Sequence, residues 1–245
     1  MSVPRNPPIN NDAAELTVSE LQQLIAEKNK KRSIDCRIIL DDFKGFLEQL
    51  EREKFSRPKD LPFRVQVLCH LEHSHNWSAL DILVSHDEIH IFHLNAAGDS
   101  DNVDVITQVL TDFSLIKMTS CEGQLQRDWE NCAVFALDHV FHMSKMMDLH
   151  EQVKKFHKPN PKVENKNMYT LDPFDLPAVL VKNMQSVPLL EKYIKQQANP
   201  QEKINKKGQT LKEYVDSHTI FRKALPFNTG ITYKKKQYRL RLKNK

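Results

Sequence analysis

A chain of 245 residues, 40% apolar and 28% charged, is long enough to bury about 70–75% of its unfolded surface as one large domain or a domain with an appendage. It contains no apolar run of the roughly 18 residues a spanning helix needs, and its start, MSVPRNPPINNDAAE, lacks an apolar h-region, so neither a membrane span nor a cleavable leader is expected. The net charge of +4 is uneven: Val181 to Lys245 holds sixteen Lys and Arg against four Asp and Glu, a net +12 that leaves −8 for the first 180 residues, so an anionic partner is expected at the basic end.

Residues 1–14 read as a disordered tail of the polar kind that suits a specialised export apparatus. LTVSELQQLIAEKNKK (16–31) and SIDCRIILDDFKGFLEQLEREK (33–54) carry apolar residues at helical spacing, with Ser19 and Ser33 as N-caps. FRVQVLCHLE (63–72) alternates and is β-branched. WSALDILVS (77–85) and EIHIFHLNA (88–96), joined by the short polar HD, read as a strand pair in a mostly buried sheet. A helix is expected at 101–113, a strand at 114–120, and one long helix or two at 130–157. After a polar linker (158–167) come short amphipathic helices at 187–197 and 210–221, then a basic strand or tail at 231–243. The order defines an α+β class without internal repeats.

Four cysteines (Cys36, Cys69, Cys121, Cys132) without CxxC pairing argue against a disulfide framework or a zinc site and for reduced thiols. HLEHSH (70–75) lacks a partner pair at ligand spacing, so no metal is expected. Cys132 opens the helix at 130–157, where unsatisfied N–H groups lower a thiol pKa, although a cysteine among Ala, Val, Phe and Leu equally suits simple packing. His75 precedes the strand beginning at Trp77 and Asn95 ends the next, so adjacent strands would set imidazole and amide side by side. That is the pattern in which His takes the thiol proton and a third residue fixes the ring; His73 is the rival base. Gln126, six residues before the cysteine, can turn back as a donor to a developing oxyanion.

At these residues the sequence resembles a known family. QRDWENC is similar to the Gln-x5-Cys element of clan CE cysteine enzymes, which include ubiquitin-like-protein proteases and the YopJ family of bacterial effector acetyltransferases. HNWSALDI followed by NAA, the helix CAVFALDHVFHM, and above all LPAVLVKNMQSVPLLEKYI and INKKGQTLKEY resemble the YopJ family, over about residues 60–240. The resemblance implies a papain-like, clan CE cysteine-protease-like catalytic core at 15–157 and a helical, basic C-terminal regulatory region at 158–245 that completes the catalytic domain and binds activator and cofactor. It implies His75 as general base, Cys132 as acyl-accepting nucleophile and Gln126 as oxyanion donor. Asn95 stands where the family has Glu or Asp, with Asp99 or Asp101 as possible substitutes, and Ala133 stands where Gly is frequent.

The implied activity is ping-pong transfer of an acetyl group from acetyl-CoA through Cys132 to Ser, Thr or Lys of host signalling proteins, kinases being candidates. The implied activator is inositol hexakisphosphate, and the implied workplace is the host cytoplasm after secretion by a bacterium. Lys182, Lys206, Lys207, Arg222 and Lys223 are the candidate phosphate contacts, with KKK at 234–236 behind them. A deubiquitinase or ubiquitin-like-protein isopeptidase using the same residues, and an impaired member acting by binding, are the alternatives. Nucleic acid is not expected, because no recognition motif or aromatic-basic interleaving is present.

Overall fold

Mostly apolar strands without strict alternation need cover on both faces, and the chain supplies it. The computed structural model describes residues 15–32, 34–71, 76–98, 101–121, 123–128, 130–161, 163, 165–222 and 225–244; the tail expected at 1–14 and the cap expected at Ser33 lie outside them. The elements run α1 (Val18–Arg32), β1 (Cys36–Leu40), α2 (Phe43–Ser56), β2 (Phe63–His70), β3 (Trp77–Val84), β4 (Ile89–Leu94), α3 (Asp101–Leu110) and β5 (Ile116–Cys121). They continue with α4 (Cys132–Met143), α5 (Leu149–Phe156), β6 (Lys158–Pro159), β7 (Met168–Leu171), α6 (Ala178–Val181), α7 (Val187–Gln196), α8 (Leu211–His218), β8 (Thr219–Arg222), β9 (Leu225–Asn228) and α9 (Gly230–Lys243).

One mixed sheet orders its strands β1-β2-β3-β4-β5-β7-β6. The β2-β3-β4 meander is antiparallel, whereas β1 on β2, β4 on β5 and β5 on β7 are parallel. Alternation along the strands divides the core. Val65, Val67, Leu80 and Ile82 pack with Phe43, Leu47 and Leu50 of α2 and Ile106 of α3. Leu68, Ala79, Phe92 and Leu94 pack with α4 and with the C-terminal helices. This is an α+β architecture in which the cysteine helix lies on the sheet.

Four sequence expectations are corrected. Residues 33–54 are not one helix: Cys36–Leu40 is a strand parallel to β2, Asp41 turns the chain at φ 66, and Asp42 caps α2 by accepting from the Gly45 N–H at 2.9 Å. The β-branched pair Ile38 and Ile39 found a sheet edge, which local spacing did not reveal. Residues 231–243 form α9 rather than a strand or tail, because Ile231, Lys235 and Tyr238 recur at helical spacing and are all buried. The cap of α1 is Thr17, not Ser19. Thr17 Oγ1 accepts from the Glu20 N–H at 3.2 Å, and Glu20 accepts from the Thr17 N–H at 2.8 Å. The helix expected at 210–221 ends at His218, and its last residues pair with β9.

One buried ion pair fixes the cysteine helix on the sheet. Asp81, in mid-strand and fully buried, accepts both arms of the Arg64 fork at 2.9 and 2.7 Å. The same guanidinium donates to the carbonyls of Met146 and Met143, at 2.6 and 3.0 Å, placing a cation at the C-terminal end of α4 and the turn that follows it. Burial would raise the Asp81 carboxyl pKa, but the bond from His150 at 2.8 Å and the Arg64 charge hold it below its ordinary value. Among the described residues no helix is long and apolar enough to cross a membrane, and no group of three or more His, Cys, Asp or Glu is placed to hold a metal.

Four histidines, three of them buried and His142 partly exposed, are held in the neutral form. Burial lowers His90 to about 2, His142 to about 3, and His93 and His139 to about 4. A folded-state pKa below the unfolded value of about 6.5 gives stability that is complete above that value and lost as pH falls below it. The melting temperature should therefore be level between about pH 7 and pH 8 and fall steadily toward pH 5, where a loss on the order of a few kcal/mol is expected. A melt that is the same at pH 7 and pH 5 would contradict this account.

Candidate active site

Cys132 is the first residue of α4 and only 3% exposed. The preceding Asn131 does not cap the helix with its side chain; its Nδ2 donates instead to both Asp128 carboxylate oxygens, at 3.0 and 2.9 Å. The open helix start is taken by Glu15. Its Oε1 accepts from the Cys132 thiol at 2.7 Å and from the Ala133 N–H at 3.0 Å, as the partial positive charge of a helix N-terminus favours. Leu16 anchors this segment in the core and the Thr17–Glu20 capping box begins α1 immediately after it. The consequence for the thiol is large. Burial, then the Glu15 bond and charge, push Cys132 up to about 12, against hydrogen bonds from the Trp77 and Ala133 backbone that lower it.

The Trp77 contact brings the start of β3 to the sulfur, two residues after His75. His75 and His73 themselves lie outside the described residues, as does Asp99, and the pairing expected between His75 and Asn95 falls there too. Asn95 is buried at the end of β4. Its Oδ1 accepts from the Ala97 N–H at 3.0 Å and its carbonyl from the Gly98 N–H at 3.3 Å. Gly98 has φ +70, and a Cβ there would stand 2.9 Å from the Gln124 nitrogen, so this turn lies directly on the loop before the cysteine. The N–H groups of Leu125 and Gln126 both donate to Ala96 O at 2.8 Å. Gln126 is buried beside this turn, with Nε2 bonded to the Asp128 carbonyl and Oε1 without a hydrogen-bond partner. Asn95, Gln126 and Cys132 therefore belong to one neighbourhood.

The basic candidates separate. Lys182 is buried, touching His142 and standing 3.4 Å from Asp138. Lys206 and Lys207 are exposed in the turn before α8, and Arg222 is exposed at the end of β8, its guanidinium 4.2 Å from the Phe227 ring centroid; Lys223 lies outside the described residues. Sequence reasoning missed a cleft of about 330 Å³ lined by Leu24, Glu27, Lys28, Lys31, Arg32, Phe141 and Arg241. Here α1 and α9 meet. Burial first, then Arg32, Arg241 and Lys234, bring Lys28 down to about 8; burial, Arg32 and Lys28 do the same to Lys145. Cations crowded until their own protonation is opposed form a site that an anion would relieve. The 3- and 4-residue spacing of Lys28, Lys31 and Arg32 was visible in the sequence; its convergence with Arg241 was not.

A buried thiol opening a helix that lies on a mixed sheet, with an amide-bearing loop beside it, defines a papain-like α+β fold of the clan CE cysteine enzymes. The family model described as YopJ serine/threonine acetyltransferase matches residues 5–243, and the chain belongs to that family of bacterial effectors. Among solved structures the fold is shared with AvrA delL154 with IP6 and CoA, at TM-score 0.67 and 16% identity over 91% of this chain and 88% of that one. It is shared with HopZ1a in complex with IP6, at TM-score 0.68 and 11% identity over 92% and 85%. HopZ1a in complex with IP6 and CoA gives TM-score 0.65 and 13% identity over 90% and 82%. No curated protein matches the chain in sequence.

Replacing Glu15 by Gln removes the charge that disfavours the thiolate while keeping the side chain's size. Alkylation of Cys132 by iodoacetamide at pH 7.5, followed by mass spectrometry of its peptide, should be at least about threefold faster in Glu15→Gln than in the unaltered protein, since one pKa unit is worth tenfold in thiolate. Equal rates would remove Glu15 as a determinant of thiol reactivity.

Proposed function

We propose that the chain transfers an acetyl group from acetyl-CoA through Cys132 to Ser, Thr or Lys side chains of host signalling proteins, kinases being candidates, in the host cytoplasm. The observation that carries this reading is the thiol at the N-terminus of α4 with the Ala133 N–H beside it, in a chain of an acetyltransferase family. A carboxylate oxygen already sits between that N–H and the sulfur, where an acyl oxygen would have to lie.

In this mechanism Glu15 withdraws and His75 accepts the thiol proton. The Cys132 thiolate attacks the thioester carbonyl, the developing oxyanion is met by the Ala133 N–H and the Gln126 amide, and the CoA thiolate leaves with a proton from His75. An acceptor hydroxyl or amine, deprotonated by His75, then attacks acetyl-Cys132 and frees the thiol. Asn95 orients the imidazole without supplying a charge. The catalytic core is assigned to 15–157 and the completing, regulatory part to 158–245.

The cleft suits inositol hexakisphosphate as activator. Lys28, Lys31, Arg32 and Arg241 line it, and Lys145, Lys182 and Lys234 supply further charge around Asp138. Lys206, Lys207, Arg222 and Lys223 are left for the phosphates of the acyl donor. Among the described residues Lys206, Lys207 and Arg222 have no ion pair that would have to be broken.

Two measurements test the proposal. With labelled acetyl-CoA, inositol hexakisphosphate and a kinase acceptor, label should appear on the acceptor and be abolished in Cys132→Ala; transfer undiminished in that variant, or cleavage of a ubiquitin probe without transfer, would overturn it. Charge reversal at both Lys28 and Arg241 should weaken calorimetric binding of the hexakisphosphate by at least about tenfold, roughly 1.4 kcal/mol, and reduce acetylation with it. Unchanged affinity would move the activator elsewhere.

A further inference from the structure

The loop that carries Gln126 is not held by the catalytic core alone. Gln185, in the stretch KNMQSV that follows α6, is fully buried and reaches across to it. Its Oε1 accepts from the backbone N–H groups of Arg127 and of Asp128, the latter at 3.0 Å, and its Nε2 donates to the Asp128 carboxylate. Its backbone N–H donates to Leu125 O at 2.9 Å. From Asp128 two bonds lead onward: the carboxylate accepts from Asn131 Nδ2, next to the nucleophile, and the carbonyl accepts from Gln126 Nε2. Gln185 is itself fixed from behind, since Asn228 donates its N–H to Gln185 O at 3.2 Å and its side chain to Met184 O at 3.0 Å.

We propose that Gln185 is a positioning residue for acyl transfer, acting through Asp128 to set the Gln126 amide and the Asn131–Cys132 helix start relative to each other. This rests on the reading in which Gln126 and Cys132 act on the acyl group. The side chain is chemically suited to the task in a way no apolar or charged residue is. Its oxygen meets two N–H donors of one turn, while its nitrogen meets the carboxylate of the same turn, so one planar amide determines the turn's orientation. An amide displaced by about 1 Å would still let donor and acceptor bind but would miss the oxyanion that forms only in the transition state. The effect therefore belongs in kcat rather than KM.

An exchange of partners tests it. In Gln185→Glu the two backbone N–H groups keep their acceptor, but the donor to Asp128 is lost and two carboxylates face each other. In Asp128→Asn one of the two donors, from Gln185 or Asn131, loses its acceptor. In the double variant Q185E/D128N the Asn side chain donates to the Glu carboxylate and still accepts from Asn131, so the chain of bonds is restored with its polarity reversed. Each single variant should lose at least about tenfold in kcat, or about 1.4 kcal/mol of barrier, with KM within about twofold, and the double should return to within about threefold of the unaltered enzyme.

Alkylation of the four buried cysteines checks the fold in each protein. If a single variant exposes all four, the double variant alone decides. Single variants with full turnover, an effect confined to KM, or a double variant no better than the singles would overturn the proposal. Failure of the underlying reading looks different: in that case the unaltered protein and Cys132→Ala transfer acetyl equally.

Discussion

Asp138 is the charge on which the arrangement of the cysteine helix and the basic C-terminal region depends. It lies in the middle of α4, buried, with Lys234 at 3.1 Å, Lys182 at 3.4 Å and His142 at 3.6 Å, and it accepts from Asn183 at 2.9 Å and from Tyr238 at 3.4 Å. Burial alone would raise its pKa; the lysines and His142 hold it well below the carboxylate range. A C-terminal region with a net charge of +12 is thereby drawn onto the helix that bears Cys132 rather than repelled from itself. Buried ion pairs of this kind contribute less to net stability than to fixing which groups meet, while loss of one partner typically costs about 3–5 kcal/mol.

The same electrostatics organise both ends of α4. Its C-terminal carbonyls are met by Arg64, a cation, and its N-terminal N–H by Glu15, an anion, as the helix dipole requires. Complementing the dipole with a carboxylate has a chemical cost at this particular helix start. Burial and the nearest negative charge hold the sulfur that the dipole alone would activate as a thiol, so the residue that satisfies the helix start is one that keeps Cys132 protonated.

How far the sequence could be read depended on whether the deciding interaction was local. The β2-β3-β4 meander was legible because Val65–Leu68, Trp77–Val84 and Ile89–Leu94 are mostly apolar and β-branched, broken by single polar residues, and separated by polar turns. Cys132 as the opening of a helix was legible for the same reason. By contrast, β1 was hidden inside a helical pattern, since only pairing with β2 distinguishes Ile38 and Ile39 in a strand from the same residues on a helix. The helix α9 was concealed by its lysines; Lys235 turns inward to donate to Glu130 O at 2.9 Å, so a residue that reads as solvated belongs to the packed face. Glu15 and Gln185 could not be found by any spacing rule, because each acts 50 or more positions away in the chain.

α1 begins next to a carboxylate on the thiol and ends with the cations of the cleft, about 22 Å further along its axis. Its composition, polar and rich in lysine, invites a protein engineer to treat it as dispensable leader and to start expression at the first strand. A protein trimmed that way would keep the whole sheet and the cysteine helix. It would nevertheless be a different protein, having lost the carboxylate on the Cys132 thiol and one wall of the basic cleft in a single cut, so that a change at the sulfur and a change at the cleft would arrive together and look like one effect.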